Sequence, residues 1–193
     1  MRDRQIRALP SRLATRESDN EMTIAGYFAV FNSRYELWDG AYETVAPTAF
    51  DGIVGKDIKA LIDHDHSKVL GRTTAGTLTL RVDEKGLYGE IKINPDDQEA
   101  VNLYHRVKRG DVDQCSFGFD ILKETFTEVP SETCWRLDSV DLHEVSIVAF
   151  PAYEDTSVTA RKRDAEDIKR RKIEQWKNER RKRLNGLKKT GTE

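Results

Sequence analysis

The sequence predicts an α+β protein that is mostly β: a small antiparallel β-barrel with flanking helices, followed by a charged C-terminal helix. Six or seven short segments rich in β-branched and aromatic residues are separated by turn signals. Only one or two segments of the domain have a helical character. The end of the chain, by contrast, is rich in Lys, Arg and Glu with sparse apolar residues at roughly helical spacing.

The composition limits the class of protein. The chain has 193 residues, of which 34% are charged and 37% hydrophobic, which is enough for one domain with a sizeable core plus appendages. No apolar run approaches the roughly 18 residues of a membrane-spanning helix. The arginine-rich start precedes no apolar segment, so we expect no secretory signal there. Two cysteines, Cys115 and Cys134, indicate a reducing compartment without a disulfide framework.

Charge divides the chain. Residues 161–193 contain 14 Lys and Arg against 6 Asp and Glu, a balance of +8, whereas residues 1–160 contain 18 and 28, a balance of −10. We predict a flexible or edge-pairing basic arm over 1–20, a domain over 21–159 and a basic helical tail over 160–193, for which a frayed charged tail is the alternative. The interspersed acids and the lack of a base-reading motif indicate at most a minor role in binding nucleic acid.

Runs of β-forming residues predict the strands of the first part of the domain. These runs cover residues 22–31, 35–45, 58–62 and 67–72. Residues 43–50 predict a strand end that passes into a short core-filling helix, with Pro47 or Thr48 near its start.

The middle of the chain predicts a hairpin and a helix. Residues 77–82 alternate apolar and polar side chains, and a turn ending at Gly86 leads into the return strand. The helix is predicted to begin with Asn94 as its N-cap and Pro95 at its first position, and to end before Gly110. Its apolar stripe consists of Ala100, Val101, Tyr104 and Val107.

The strand over residues 114–121 carries the most chemical information. Its apolar residues alternate with Ser116, Gly118 and a carboxylate, so one face belongs to a core while the other begins with a hydroxyl beside a glycine. A hydroxyl next to bare backbone leaves room for a substrate chain. Two further strand-like segments offer His64 and Glu144. A serine, a histidine and a carboxylate in separate segments are what nucleophilic catalysis by serine needs.

These residues resemble a known family, the prohead proteases of tailed bacteriophages, which are serine peptidases related in fold to the herpesvirus assemblins. The resemblance extends from about Gly26 to about Val158. Its motifs, in an order and spacing that agree with the family, are Asp63-His64-Asp65, Val69-Leu70-Gly71-Arg72-Thr73, Gly86-Leu87, Ser116-Phe117-Gly118-Phe119, Glu144-Val145-Ser146-Ile147-Val148 and Pro151-Ala152-Tyr153. No single motif is specific alone. The resemblance implies the assemblin-like, herpesvirus protease-like barrel.

The resemblance also supports a catalytic scheme. Ser116 is the nucleophile, His64 the general base and Glu144 the acid that orients the imidazole. A neutral imidazole within hydrogen-bond reach can take the serine proton, and a carboxylate behind it fixes the tautomer and stabilises the imidazolium. We predict no cofactor and no metal for this reaction.

Neighbouring residues compete for two of these roles. His66 shares a strand face with His64 and is a second candidate for the base, or a second histidine in the herpesvirus manner. Asp63 and Asp65 compete with Glu144 for the third position, although a strand neighbour of His64 should point to the opposite face.

The alternation of side chains along a strand also argues against two other candidate residues. Cys115 is a candidate thiol nucleophile, but it should point away from the face of Ser116 and pack in the core. His143 should likewise face away from Glu144 and be structural.

A zinc site built on His64 and His66 is poorly supported, because no further pair of ligands completes it. The sequence leaves two candidates for the oxyanion hole. One is a backbone N–H near Ser116 or Gly118, and the other is a water held by Arg72. We expect Arg72 to pair with a surface carboxylate instead.

The resemblance implies an endopeptidase that acts inside the assembling prohead in the host cytoplasm. It implies cleavage of the scaffold or of the N-terminal scaffolding segment of the major capsid protein, and then of the protease itself, near residues 155–170. A homodimer is expected by analogy with assemblins, and no membrane is involved. The alternative is a catalytically silent barrel that serves as scaffold, with its basic tail on the acidic inner surface of a shell or on nucleic acid.

Overall fold

The computed structural model describes residues 5–10, 13–18, 21–130, 132–150 and 155–189. The chain forms two compact units, residues 1–153 and 154–193. Its strands and helices, in chain order, are β1 (Gln5–Pro10), β2 (Ala14–Ser18), β3 (Glu21–Val30), β4 (Tyr35–Trp38), β5 (Ala41–Val45), β6 (Lys59–Ile62), β7 (Asp65–Arg72), β8 (Leu78–Val82), β9 (Gly86–Lys92), α1 (Gln98–Arg109), β10 (Gln114–Val129), β11 (Glu132–Val148) and α2 (Asp155–Lys189).

The first unit contains two sheets. The larger has seven strands in the order β1-β10-β11-β5-β4, with β6 beside β11 and β7 beside β6, and the smaller has the order β2-β3-β9-β8. The mostly β character with few helices is as predicted. Among the described strands neither sheet closes, so the predicted small barrel is not confirmed. β11 also pairs in parallel with both β5 and β6, which corrects the prediction of an antiparallel sheet.

β11 organises the larger sheet. Along one edge it pairs with β10 over nearly its whole length. Along the other edge its first half pairs with β5 and its second half with β6. The second half therefore runs beside the strand that leads directly into the predicted histidine cluster.

The core lies under the apolar face of β10, as the alternation predicted. Phe117 and Phe119 are fully buried, and their rings stack with centroids 4.9 Å apart. Phe50 meets Phe117 edge-on at 5.7 Å. Burial of each such ring contributes about 1.5–3 kcal/mol to stability, so the strand carrying Ser116 is fixed from its apolar side.

The helix α1 begins later than predicted. Asp97 is the N-cap, and its carboxylate accepts hydrogen bonds from the N–H groups of Glu99 and Ala100. Asn94 instead accepts from the N–H of Asp96, so it shapes the turn before the helix. Both residues are good caps, and a capping argument alone does not choose between them.

The other features of α1 match the prediction with one exception. Gly110 ends the helix in a left-handed conformation, φ 85°, which glycine adopts without steric cost. The buried stripe includes Leu103, whereas the predicted Val101 is only partly buried.

The predicted short helix near Pro47 or Thr48 is not formed. The segment makes successive turns instead, such as the bond from the Ala49 N–H to the Ala46 carbonyl, 3.0 Å. The Thr48 hydroxyl donates to the Asp138 carbonyl of β11, 2.9 Å. It ties the turn to the sheet rather than capping a helix.

The two ends of the chain contain regular structure in their described parts. In the predicted arm, β1 pairs with β10 and β2 with β3, which is the edge-pairing alternative. The tail is helical over Asp155–Lys189, and the second unit begins at residue 154 rather than 160. No helix in the described ranges is long and apolar enough to cross a membrane.

Candidate active site

A two-residue turn between β6 and β7 presents the candidate base. Asp63 and His64 both have left-handed backbone angles, φ 47° and 59°, as a tight type I′ hairpin turn requires. Such angles are uncommon for residues other than glycine and, when held by surrounding structure, are typical of functional sites. The Asp63 N–H donates to the Ile147 carbonyl at 3.0 Å, and the Asp63 carboxylate accepts from the Ala149 N–H at 2.9 Å. Both bonds fasten the turn to the end of β11.

The structure brings His64 and Glu144 together. His64 Nδ1 lies 2.7 Å from Glu144 Oε1, and the two side chains are 13% and 4% exposed. When Nδ1–H donates to the carboxylate, the neutral imidazole carries its lone pair on Nε2. That Nε2 atom is buried and has no hydrogen-bond partner among the described residues. It is the nitrogen that can accept a proton.

Ser146 completes the hydrogen bonding of the carboxylate. Its fully buried hydroxyl donates to Glu144 Oε2 at 2.7 Å. The two carboxylate oxygens are therefore held by different partners, His64 on one side and Ser146 on the other. Ser146 was not among the predicted site residues. The signal was present in the sequence, because residues two apart on a strand share a face.

The β10–β11 register places Ser116 opposite Ser146 and Gly118 opposite Glu144. All four residues lie on one face of the sheet. A Cβ added at Gly118 would lie 2.9 Å from the Glu144 carboxyl carbon. The sequence analysis predicted that the space over Gly118, beside Ser116, admits a substrate chain. In the structure the Glu144 carboxylate fills this space.

Ser116 is fully buried, and its hydroxyl donates to the Arg7 carbonyl oxygen of β1 at 2.9 Å. The side chain thus lies on the sheet face of Glu144 with its hydroxyl bonded to a neighbouring strand rather than to His64 Nε2.

The competing residues have other partners or positions. His66 is exposed. Asp65 accepts from the hydroxyl and N–H of Ser67, at 2.6 and 2.9 Å, and these hydrogen bonds lower the pKa of the Asp65 carboxyl. The Asp63 carboxylate accepts a backbone hydrogen bond just beyond the end of β11.

The remaining candidates behave as structural groups. Cys115 forms no disulfide and is buried in the core, and His143 Nε2 lies 3.0 Å from Asp120 Oδ2. Arg72 makes two 2.6 Å bonds to Asp57, and its hydrogen bonds hold the pKa of that carboxyl well below its usual range. Within the described ranges, no group of three or more His, Cys, Asp or Glu could hold a metal ion.

Comparison with known proteins assigns the chain to a family. The model of the caudovirus prohead serine protease family matches residues 11–171. The chain belongs to this family. The prohead protease of Enterobacteria phage HK97 is a relative, 27% identical over 137 residues, which are 71% of this chain and 59% of that protein. The chain thus spans 59% of the length of this curated relative.

A solved structure has a similar fold. It is the capsid assembly protease of bacteriophage T4, with a TM-score of 0.53, 9% sequence identity and coverage of 77% of this chain and 98% of the other. At this identity the similarity concerns the fold. The described strands of this chain therefore follow a fold already seen in one phage capsid assembly protease.

Proposed function

We propose that the protein is a serine endopeptidase of prohead maturation in which Ser116 is the nucleophile, His64 the general base and Glu144 the residue that orients the base. One observation carries the proposal: the 2.7 Å contact between His64 Nδ1 and Glu144 Oε1 beside the strand of Ser116. This contact leaves Nε2 as the basic nitrogen of the imidazole, which is the role a serine protease requires.

The reaction follows from these groups. The Ser116 hydroxyl turns from the Arg7 carbonyl to His64 Nε2, which takes its proton as Oγ attacks the peptide carbonyl carbon. The peptide C–N bond breaks, and the imidazolium returns the proton to the departing amine. Water, deprotonated by His64, then hydrolyses the Ser116 ester and releases a carboxylate. Glu144 stabilises the imidazolium in both steps, and no cofactor takes part.

The proposed substrates are capsid proteins. We propose that the enzyme cleaves the scaffold or the N-terminal scaffolding segment of the major capsid protein, and then itself, inside the prohead in the host cytoplasm. Membership in the caudovirus prohead serine protease family and the relative named prohead protease support this assignment. A homodimer belongs to the same proposal.

The proposal is tested by measuring intact masses after co-expression with the major capsid protein of the same phage. Wild type should trim the capsid protein, itself or both, and Ser116→Ala should leave both full length. Ser139→Ala, on β11, is the matched serine control and should behave as wild type. Loss of cleavage with Cys115→Ala but not Ser116→Ala would assign the nucleophile to the thiol instead. If neither the wild type nor any variant cleaves a protein in assembled shells, the protein is a catalytically silent scaffold and this proposal is wrong.

A further inference from the structure

Strand β1 lies beside the proposed nucleophile. It runs antiparallel to β10, with Arg7 opposite Phe117 and Ala8 opposite Ser116. Without β1, this side of β10 would be the edge of the larger sheet. Edge strands bind extended peptides by adding them to the sheet, where backbone bonds give affinity and side-chain pockets give specificity.

The Arg7 side chain fills a charged pocket. Its Nε and Nη2 atoms lie 2.5 and 2.9 Å from the two carboxylate oxygens of Glu43. Arg7 is 2% exposed and Glu43 is 0% exposed, and the guanidinium lies 5.6 Å from the centre of the Phe119 ring. A buried carboxylate without a cation costs several kcal/mol, so this pocket strongly favours a positively charged side chain.

The backbone of Arg7 also contacts the proposed nucleophile. The Arg7 carbonyl oxygen is the acceptor of the Ser116 hydroxyl, at 2.9 Å. In a serine protease, the residue whose side chain enters the specificity pocket is the one whose carbonyl the nucleophile attacks. Arg7 satisfies both conditions within one extended strand.

We propose that β1 is a built-in occupant of the substrate cleft, and that the peptides this protease cleaves place Arg or Lys against Glu43, directly before the bond that is cut. The inference rests on the proposed function. Glu43 is then the residue that determines specificity, and β1 must leave the edge of β10 before a substrate strand can bind there. The enzyme is at rest while β1 stays in place.

The first experiment maps the cut sites. The full chain and the major capsid protein of the same phage are co-expressed, and the new C-termini are identified by mass spectrometry in wild type and Ser116→Ala. We expect most Ser116-dependent cuts to follow Arg or Lys. At a mapped site in the capsid protein, exchange of Arg for Lys should keep the cut. Exchange for Gln should reduce the rate about 10²–10³-fold, the range that corresponds to leaving a buried charge unpaired.

The second experiment exchanges the charges of the pocket. Arg7→Glu combined with Glu43→Arg keeps an ion pair in the core, and it should move the cuts to bonds that follow Asp or Glu. The exposed pair Arg34 and Glu132, 2.9 Å apart, supplies the control: Arg34→Glu with Glu132→Arg should leave every cut site unchanged. Circular dichroism checks that both double variants fold.

The outcomes separate the two proposals. If cleavage does not depend on Ser116, the proposed function fails and this inference falls with it. If cuts depend on Ser116 but follow residues without a preference for Arg and Lys, the proposed function stands and this inference is wrong. The inference is equally wrong if a folded charge-exchange variant keeps the wild-type cut sites. Should that variant not fold, the Gln exchange in the substrate decides alone.

Discussion

At Gly118 the absence of a side chain admits the Glu144 carboxylate to the sheet face of Ser116. A methyl group there would overlap the carboxylate, which is the far end of a flexible side chain and can move aside. We therefore expect Gly118→Ala to lower the cleavage rate about 100-fold or more, since displacement of a catalytic group by about 1 Å costs that much. The melting temperature should change by only a few degrees. Cleavage of the capsid protein and a thermal melt measure both effects.

The matched control is Gly52→Ala, because a Cβ at Gly52 meets no atom within 4 Å. It should leave the rate and the melting temperature unchanged. Equal loss of activity in the two variants would contradict the role given to Gly118.

Asp63 and Glu144 are distinguished by a pair of amide substitutions. Asp63 accepts a backbone N–H and holds a left-handed turn. An asparagine can do both, so Asp63→Asn should keep the activity within a few-fold, whereas Asp63→Ala should lower it. Glu144→Gln should lower kcat by about 10³–10⁴, because the imidazolium loses its counter-charge and the imidazole its tautomer control. Rates for the three variants decide the third catalytic position, and a large loss in Asp63→Asn would move it to Asp63.

For single residues, the sequence predicted which side chains are buried better than it predicted which side chains contact one another. The alternation around Ser116 predicted its buried apolar side correctly, because strand periodicity is a local property. The contact of His64 with Glu144 joins residues 80 positions apart, and only the family resemblance suggested it. The turn at Asp63 and His64 was not foreseen, since a strand pattern was applied across residues that reverse the chain.

The β10–β11 hairpin contains a buried carboxylate, that of Asp138, which is 9% exposed and accepts hydrogen bonds from Thr125 and Arg136. The hydrogen bond from the Thr125 hydroxyl lowers the pKa of Asp138, burial opposes this, and the bond from Arg136 lowers it further. Because the folded pKa lies below the unfolded value of about 4, the carboxylate stabilises the fold above that pH. The contribution is lost as the pH falls through the folded pKa.

Asp138→Asn should therefore reduce the free energy of unfolding at pH 7 by about 1–3 kcal/mol, and by progressively less as the pH is lowered from about 5. Urea unfolding at pH 7 and near pH 3 measures the difference. Asp39→Asn, outside this hydrogen-bond network, is the control. If the free energy of unfolding falls by the same amount at both pH values, packing and not the carboxylate charge stabilises the hairpin.

Elements whose pairing is local were predicted well, and those whose pairing is distant were not. The β8–β9 hairpin and the end of α1 at Gly110 are encoded by neighbouring residues, and both are present. The parallel pairing of β11 with β5 and β6 joins segments that no local pattern connects. Local patterns consequently predicted an antiparallel barrel.

The molecule as a whole contains a well-packed unit and a second unit whose helix, α2, is exposed over its central part. Residues 171–182 of α2 are all exposed, whereas most of the second half of β11 is buried. A helix that buries little apolar surface has little stability of its own. We expect amide hydrogens of α2 to exchange on the order of 10³-fold faster than those of β11, as measured by hydrogen–deuterium exchange with mass spectrometry. Equal protection of the two elements in the isolated protein would contradict this.

The position of β11 in the chain also sets the order of events during synthesis. β5 and β6 leave the ribosome long before their partner on β11 exists, and a ribosome adds about 5–20 residues per second. Until Glu144 has been translated and has emerged, His64 lacks the carboxylate that contacts its Nδ1 atom, and β10 has one neighbouring strand fewer. The candidate site is therefore assembled only after β11 has been translated and has emerged. Under the proposed function, proteolysis begins only after that point.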